Sequence, residues 1–195
     1  MPTASKPSSR PQSLMRCARD EKSLSMPDHK SITLPLADEA ATLSLGAQLG
    51  NALWNDQAPG LVIYLEGDLG AGKTTLVRGL LRGLGYREKV KSPTYTLVEE
   101  HHVGGLDLFH FDFYRFTRPE EYLDAGLDEY FAGAGICLVE WPGNAAPYLA
   151  PADLTVSLAG DGAEGRTAVV IAHDARGEAC LTTLSTNSQA HAAKP

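Results

Sequence analysis

The stretch Gly67-Asp68-Leu69-Gly70-Ala71-Gly72-Lys73-Thr74-Thr75 constrains the fold of this chain more than any other, because Gly67 through Thr74 fits the Walker A pattern G-x-x-x-x-G-K-[ST]. The pattern carries meaning only between a buried strand and a helix. Leu61 to Leu65 is a short apolar run of strand length after Pro59-Gly60, and reads as a buried parallel strand. Beyond the loop, Leu76, Leu80 and Leu84 recur at spacing four, with Val77 and Leu81 beside them, and Gly85 offers a C-terminal cap. The alternative, a tight glycine turn beside an ordinary surface lysine, is set against a motif and a context that agree.

Such a loop suits an anion for geometric reasons. Glycines let successive backbone N–H groups turn inward, and the following helix adds the positive end of its dipole. The loop residues Asp68, Leu69, Gly70, Ala71, Gly72, Lys73, Thr74 and Thr75 are therefore the expected nucleotide-binding set. Lys73 is placed to reach the outer phosphates, and the Thr74 hydroxyl to ligate a bridging Mg²⁺. Strand, glycine loop and helix thus follow in the order that phosphate binding requires.

Composition narrows the function. The 195 residues suffice for one domain, and no apolar run approaches the ~18 residues that cross a membrane. Cys17, Cys137 and Cys180 are scattered without metal-ligand spacing, which argues against a disulfide framework or zinc site and for residence in the cytoplasm. Residues 1–30 hold six basic and three acidic side chains, whereas residues 31–195 hold 11 and 21, a net of −10. An acidic body repels phosphate backbones, so any RNA is expected to arrive on a partner.

Along the chain, residues 1–30 are rich in Ser, Pro and basic side chains and read as a disordered extension; a transit peptide is the alternative, and Met26 is a second possible start. The phosphate-loop domain is assigned to 31–184. Ile32 to Leu34 is an expected strand, followed by a helix capped by Asp38 with Ala41, Leu45, Leu49 and Leu53 on one face. Ser92-Pro93-Thr94 is either a solvated proline turn or a switch segment. Strands over 95–103 and 106–113 flank Gly104-Gly105, with Phe109, Phe111 and Phe113 opposite Leu108, His110 and Asp112. Asp112 can orient water or metal-bound groups, or form an ion pair with Arg115.

Thr117 to Glu120 matches a capping box for a helix over 119–123. Gly135 to Pro142 contains a second buried strand that ends on Glu140, the candidate for the carboxylate that holds a Mg²⁺ shell in phosphate-loop enzymes. Trp141 could stack on a base, dock a partner or cover the sheet end. A hairpin is expected over 153–159 and 166–172, a short strand over 181–184, and a disordered tail over 185–195.

Four ordered blocks exceed a generic phosphate loop: 67–75, Lys-Ser-Pro-Thr-Tyr-Thr-Leu-Val-Glu at 91–99, His-Phe-Asp-Phe-Tyr-Arg at 110–115 and Cys-Leu-Val-Glu-Trp-Pro at 137–142. Together they resemble the TsaE family of bacteria, the ATPase component of tRNA threonylcarbamoyladenosine biosynthesis. The resemblance implies an α/β fold, a single P-loop NTPase-like domain with a mostly parallel central sheet flanked by helices plus antiparallel hairpins, with ATP and Mg²⁺ as ligands. As partners it implies a threonylcarbamoyl transferase subunit and its inactive paralogue, which modify the adenosine next to the anticodon. It implies phosphate binding by Lys73, Mg²⁺ held by Thr74 and Glu140, and a requirement for Asp112 in turnover. Ser92, Thr94 and Trp141 match switch or partner-contact positions.

Two other classes compete. A small-molecule kinase commonly closes a basic lid, but after Arg118 the strong bases are only Arg166, Arg176 and Lys194. A nucleotide-gated adaptor with incidental hydrolysis is not separable on sequence. GTPase chemistry is disfavoured, since the chain has no Asn-Lys-x-Asp segment. No arginine finger is evident in cis, so the expected ATPase is weak alone and stimulated by partners.

Overall fold

A computed structural model describes residues 30–56, 60–160 and 165–192. The expectations for residues 1–29, including Met26, and for 193–195 lie outside the described residues. The elements are β1 (Ser31–Leu36), α1 (Glu39–Asp56), β2 (Val62–Glu66), α2 (Lys73–Gly83), β3 (Val98–Val103), β4 (Leu106–Asp112), α3 (Glu121–Asp124), α4 (Asp128–Phe131), β5 (Ile136–Glu140), β6 (Leu154–Gly160), β7 (Arg166–Ala172) and α5 (Ala175–Ala192). A 3₁₀ turn over Pro142–Ala145 follows β5.

The strands form one seven-stranded sheet in the order β1-β7-β6-β2-β5-β4-β3. Its centre, β6-β2-β5-β4, is parallel, and antiparallel β3 and the β7-β1 pair complete the two sides. The central strands are buried on both faces, as their near-continuous apolar sequences require. In register, Leu65 lies beside Glu140 and Asp112 beside Glu140, so the ends of β2, β5 and β4 fall together.

One face of the sheet is covered by α1, α2 and α5, which pack Leu45, Leu49, Leu53, Leu76, Leu80, Leu81 and Leu184 onto Ile63, Leu65, Leu138, Val156 and Val170. The α1–α2 contact is made through backbone. A Cβ on Gly46 would overlap the Leu76 carbonyl oxygen, and one on Gly79 the Leu43 carbonyl oxygen. Only glycine allows that approach. The opposite face carries an aromatic cluster of Phe111, Phe113, Phe116 and Tyr122 with Phe131, held by offset and edge contacts at centroid distances of 4.8–6.1 Å. Cys180 belongs to the first face and Cys137 to the second, where burial pushes its thiol up to about 12.

Several local expectations hold. Asp38 Oδ1 accepts the Ala41 N–H at 2.7 Å at the start of α1, and Gly85 follows α2 at φ 94°. Others are corrected. Residues 95–97 form a turn rather than a strand, because the Leu97 N–H bonds back to Pro93 O at 2.8 Å. The capping carboxylate at Thr117 is Glu121, whose Oε1 accepts from Thr117 N, Thr117 Oγ1 and Arg118 N, and α3 begins at Glu121 rather than at Pro119. Most substantially, helix α5 replaces both the strand over 181–184 and the irregular tail, and continues to Ala192. Asp174 starts it by accepting the Gly177 N–H at 2.8 Å, and Cys180, Leu181 and Leu184 form its buried stripe. Among the described residues no helix is long and apolar enough to cross a membrane.

Candidate functional site

The glycine loop leaves β2 at Gly67 and enters α2 at Gly72. Both glycines, and Gly70 between them, have positive φ, at 133°, 105° and 82°. At Gly67 a side chain is also excluded by the Leu158 carbonyl of neighbouring β6. This backbone places Lys73 and Thr74 at the first positions of α2, at the positive end of its dipole.

Around the loop lies a cavity of about 350 Å³. Lys73, Thr74, Thr75, Ser92, Thr94, Asp112, Glu140 and Trp141 all contribute to its lining, together with Leu69, Gly70 and Gly72. Residues as far apart in sequence as Leu69 and Trp141 thus meet at the ends of three adjacent strands and one helix. Asp68 and Ala71 face a second cavity of about 270 Å³ on the other side of the loop, with Arg166 at its wall.

Lys73 is only 4 % exposed. Its Nζ donates to Gly67 O at 2.6 Å and Asp68 O at 2.9 Å, and lies 4.1 Å from the centroid of the Trp141 ring. Burial lowers the ammonium's pKa, opposed by the neighbouring carboxylates of Glu140, Asp112 and Asp68. The group is therefore a desolvated cation in an acidic surround, suited to exchanging carbonyl partners for phosphate oxygens.

Glu140 is buried rather than solvated, and its Oε1 is shared. Thr74 Oγ1 donates to it at 2.8 Å, and His110 Nε2 lies 3.0 Å away. Asp112 makes no ion pair with Arg115, whose guanidinium sits over the Tyr95 ring at 4.3 Å. Instead Asp112 Oδ2 accepts from Ser92 Oγ and from Thr94 Oγ1, the latter at 2.7 Å, while Oδ1 accepts the Tyr114 N–H at 3.0 Å. The Ser92–Thr94 segment is thus tied to the end of β4, and the Asp112 N–H, bonded to Leu97 O at 3.1 Å, ties its far side. Trp141 takes a left-handed backbone at φ 60° immediately after Glu140 and packs its ring at 5.0 Å from Tyr114.

Thr74 and Glu140 offer hard oxygen donors side by side, the chemistry that Mg²⁺ selects. Among the described residues no group of three or more His, Cys, Asp or Glu has metal-site geometry. A cation held here would take its remaining ligands from water and phosphate, as Mg²⁺ does in nucleotide sites. The pair therefore fits such an ion. Sequence reasoning passed over His110, although its alternation with Asp112 on one strand face was the available signal.

The chain is similar to known proteins over much of its length. The family model for "Threonylcarbamoyl adenosine biosynthesis protein TsaE" matches residues 36–168. A tRNA threonylcarbamoyladenosine biosynthesis protein TsaE of Haemophilus influenzae is 43 % identical over 130 residues, covering 66 % of this chain and 82 % of the relative. The protein of the same name from Bacillus subtilis is 55 % identical over 83 residues, 43 % of this chain and 51 % of its own length. The crystal structure of Bacillus subtilis YdiB superposes with a TM-score of 0.69 at 34 % identity, covering 82 % of this chain and 97 % of that one. The matched span begins at the end of β1 and runs through the glycine loop, Ser92, Asp112 and Glu140 into β7, and on these grounds the chain belongs to the TsaE family.

Proposed function

We propose that this chain binds ATP with Mg²⁺ in the 350 Å³ cavity and hydrolyses it in the cytoplasm. Its role is to support a threonylcarbamoyl transferase subunit and that subunit's inactive paralogue in modifying the adenosine next to the tRNA anticodon. The observation that carries the reading is the convergence of Lys73, Thr74, Asp112 and Glu140 on one cavity beside a glycine loop with three positive-φ positions.

In the mechanism, the loop N–H groups and Lys73 bind the phosphates, Lys73 releasing the Gly67 and Asp68 carbonyls to do so. Thr74 Oγ1 and Glu140 would hold Mg²⁺. When bound, that ion supplies charge neutralisation of the transferring phosphoryl group. Asp112, carrying donors from Ser92 and Thr94 on one oxygen, orients water toward the γ-phosphoryl group. Ser92 and Thr94 couple this carboxylate to a surface segment, and Trp141 screens Lys73 from solvent. Phosphate-loop NTPases without an arginine finger turn over at roughly 10⁻⁴ to 10⁻² per second, so acceleration is expected from the partner complex.

The deciding experiment measures ATP hydrolysis with and without the transferase pair and follows modified tRNA over many turnovers. Asp112→Asn should retain ATP binding by calorimetry and lose stimulated hydrolysis by on the order of 10²-fold or more. Unstimulated rapid hydrolysis, or full activity of Asp112→Asn, would overturn the proposal.

A further inference from the structure

His110 lies on β4 inside the sheet with no exposed surface. It pairs in register with Leu138, two residues before Glu140, and its Nε2 comes within 3.0 Å of Glu140 Oε1. That oxygen also receives the Thr74 hydroxyl at 2.8 Å. Nδ1 of the ring has no hydrogen-bond partner among the described residues. A carboxylate can only accept, so the tautomer that satisfies the contact carries its proton on Nε2 and leaves a bare lone pair at Nδ1. A buried polar atom left in that state has a cost, and a buried ring that pays it while bonding one carboxylate oxygen has a role beyond filling space.

We propose that His110 is a positioning residue for Glu140. With Oε1 engaged by two donors, one from α2 and one from β4, the carboxylate is held in orientation, and Oε2, which has no hydrogen bond among the described residues, is the oxygen left for a ligand in the cavity. The arrangement places the imidazole behind the carboxylate, as outer partners fix the orientation and basicity of metal-ligating groups. The inference rests on the reading of Glu140 as the residue that holds Mg²⁺. It differs from that reading in assigning the orientation to a residue that touches neither nucleotide nor ion.

The test is the Mg²⁺ dependence of nucleotide binding, measured on the full chain by calorimetric titration of a non-hydrolysable ATP analogue over a series of Mg²⁺ concentrations. His110→Phe keeps the ring volume and removes the donor, and should raise the half-saturating Mg²⁺ by about 10–100-fold. His110→Gln can place an amide N–H near the Nε2 position and should bind close to wild type. His110→Asn is similar in polarity but too short to reach Glu140, and should behave like the Phe variant. Should the Phe variant fail to fold, the Gln and Asn pair still carries the comparison. Equal behaviour of Gln and Asn, or a Phe variant with wild-type Mg²⁺ dependence, overturns the inference. Glu140→Gln separates the two levels. If it leaves the Mg²⁺ dependence unchanged, the assignment of Glu140 falls and this inference with it; if it shifts while the folded His110 variants do not, only the role of His110 is lost.

Discussion

The two faces of the sheet are held by opposite means. On one, α1 and α2 meet through glycine, with no side chain between Gly46 and the Leu76 carbonyl or between Gly79 and the Leu43 carbonyl. On the other, short α3 and α4 contribute to a cluster of large rings that includes Phe111, Phe113, Tyr122 and Phe131. The glycine contact sets the position of a helix to within backbone tolerance, and that helix presents Lys73 and Thr74 to the cavity. The aromatic face contributes mainly buried area, which stabilises the fold while leaving small displacements cheap. Precision and stability are therefore supplied from different sides.

Three measurements can break or sharpen this contrast. Tyr122→Ala, which empties a fully buried position of the aromatic face, is expected to cost about 3–5 kcal/mol in urea denaturation. The protein that remains folded should bind ATP with little change. A large loss of affinity without a large loss of stability would invert the assignment of roles. Gly79→Ala comes second, at about 1–3 kcal/mol from overpacking against the Leu43 carbonyl. Helix propensity alone would stabilise the same change by up to about 1 kcal/mol, so the sign of the effect is itself decisive. Its affinity for ATP should fall together with its stability, because α2 cannot shift without moving Lys73.

The smallest effect concerns His101, buried on β3 with neither ring nitrogen bonded among the described residues and with its ring edge-on to Tyr86 at 5.0 Å. Burial, followed by the neighbouring His110, holds its pKa below the ordinary 6.5; Glu99 and Glu88 oppose the shift and His102 adds to it. The folded state thus binds fewer protons than the unfolded chain just below pH 6.5. Stability is full above 6.5 and declines as pH falls from there through the lowered value. His101→Phe should flatten that decline in thermal melts between pH 7 and 5, and an unchanged slope would rule out His101 as its source.

Much of the site was legible in the sequence because its parts are chemically distinctive. A glycine loop, a strand ending in Glu140 and a strand ending in Asp112 each carry a local signature, and the fold brings the three to one cavity. What stayed hidden depends on three-dimensional neighbours. The stretch from Ala175 reads ambiguously, since its Thr and Ser residues favour strand or coil, yet Cys180, Leu181 and Leu184 find a hydrophobic face that settles it as helix. There the Thr182, Thr183 and Ser185 hydroxyls bond back to carbonyls one turn earlier. The competition between Glu120 and Glu121 for the Thr117 cap, and the partnership of His110 with Glu140, are likewise matters of geometry that no spacing rule encodes.

One consequence follows from the register that sets Asp112 beside Glu140 on adjacent parallel strands. Their backbones are separated by the interstrand spacing of the sheet, about 4.8 Å, a length that no loop can alter. Any change in the separation of the two carboxylates therefore comes from their side chains and not from the strands that carry them. Beside the pair, the hydroxyls of Ser92 and Thr94 clasp Asp112. The sheet is in effect a fixed ruler for the two backbones, and the Ser92–Thr94 segment is fastened to it through its hydroxyls.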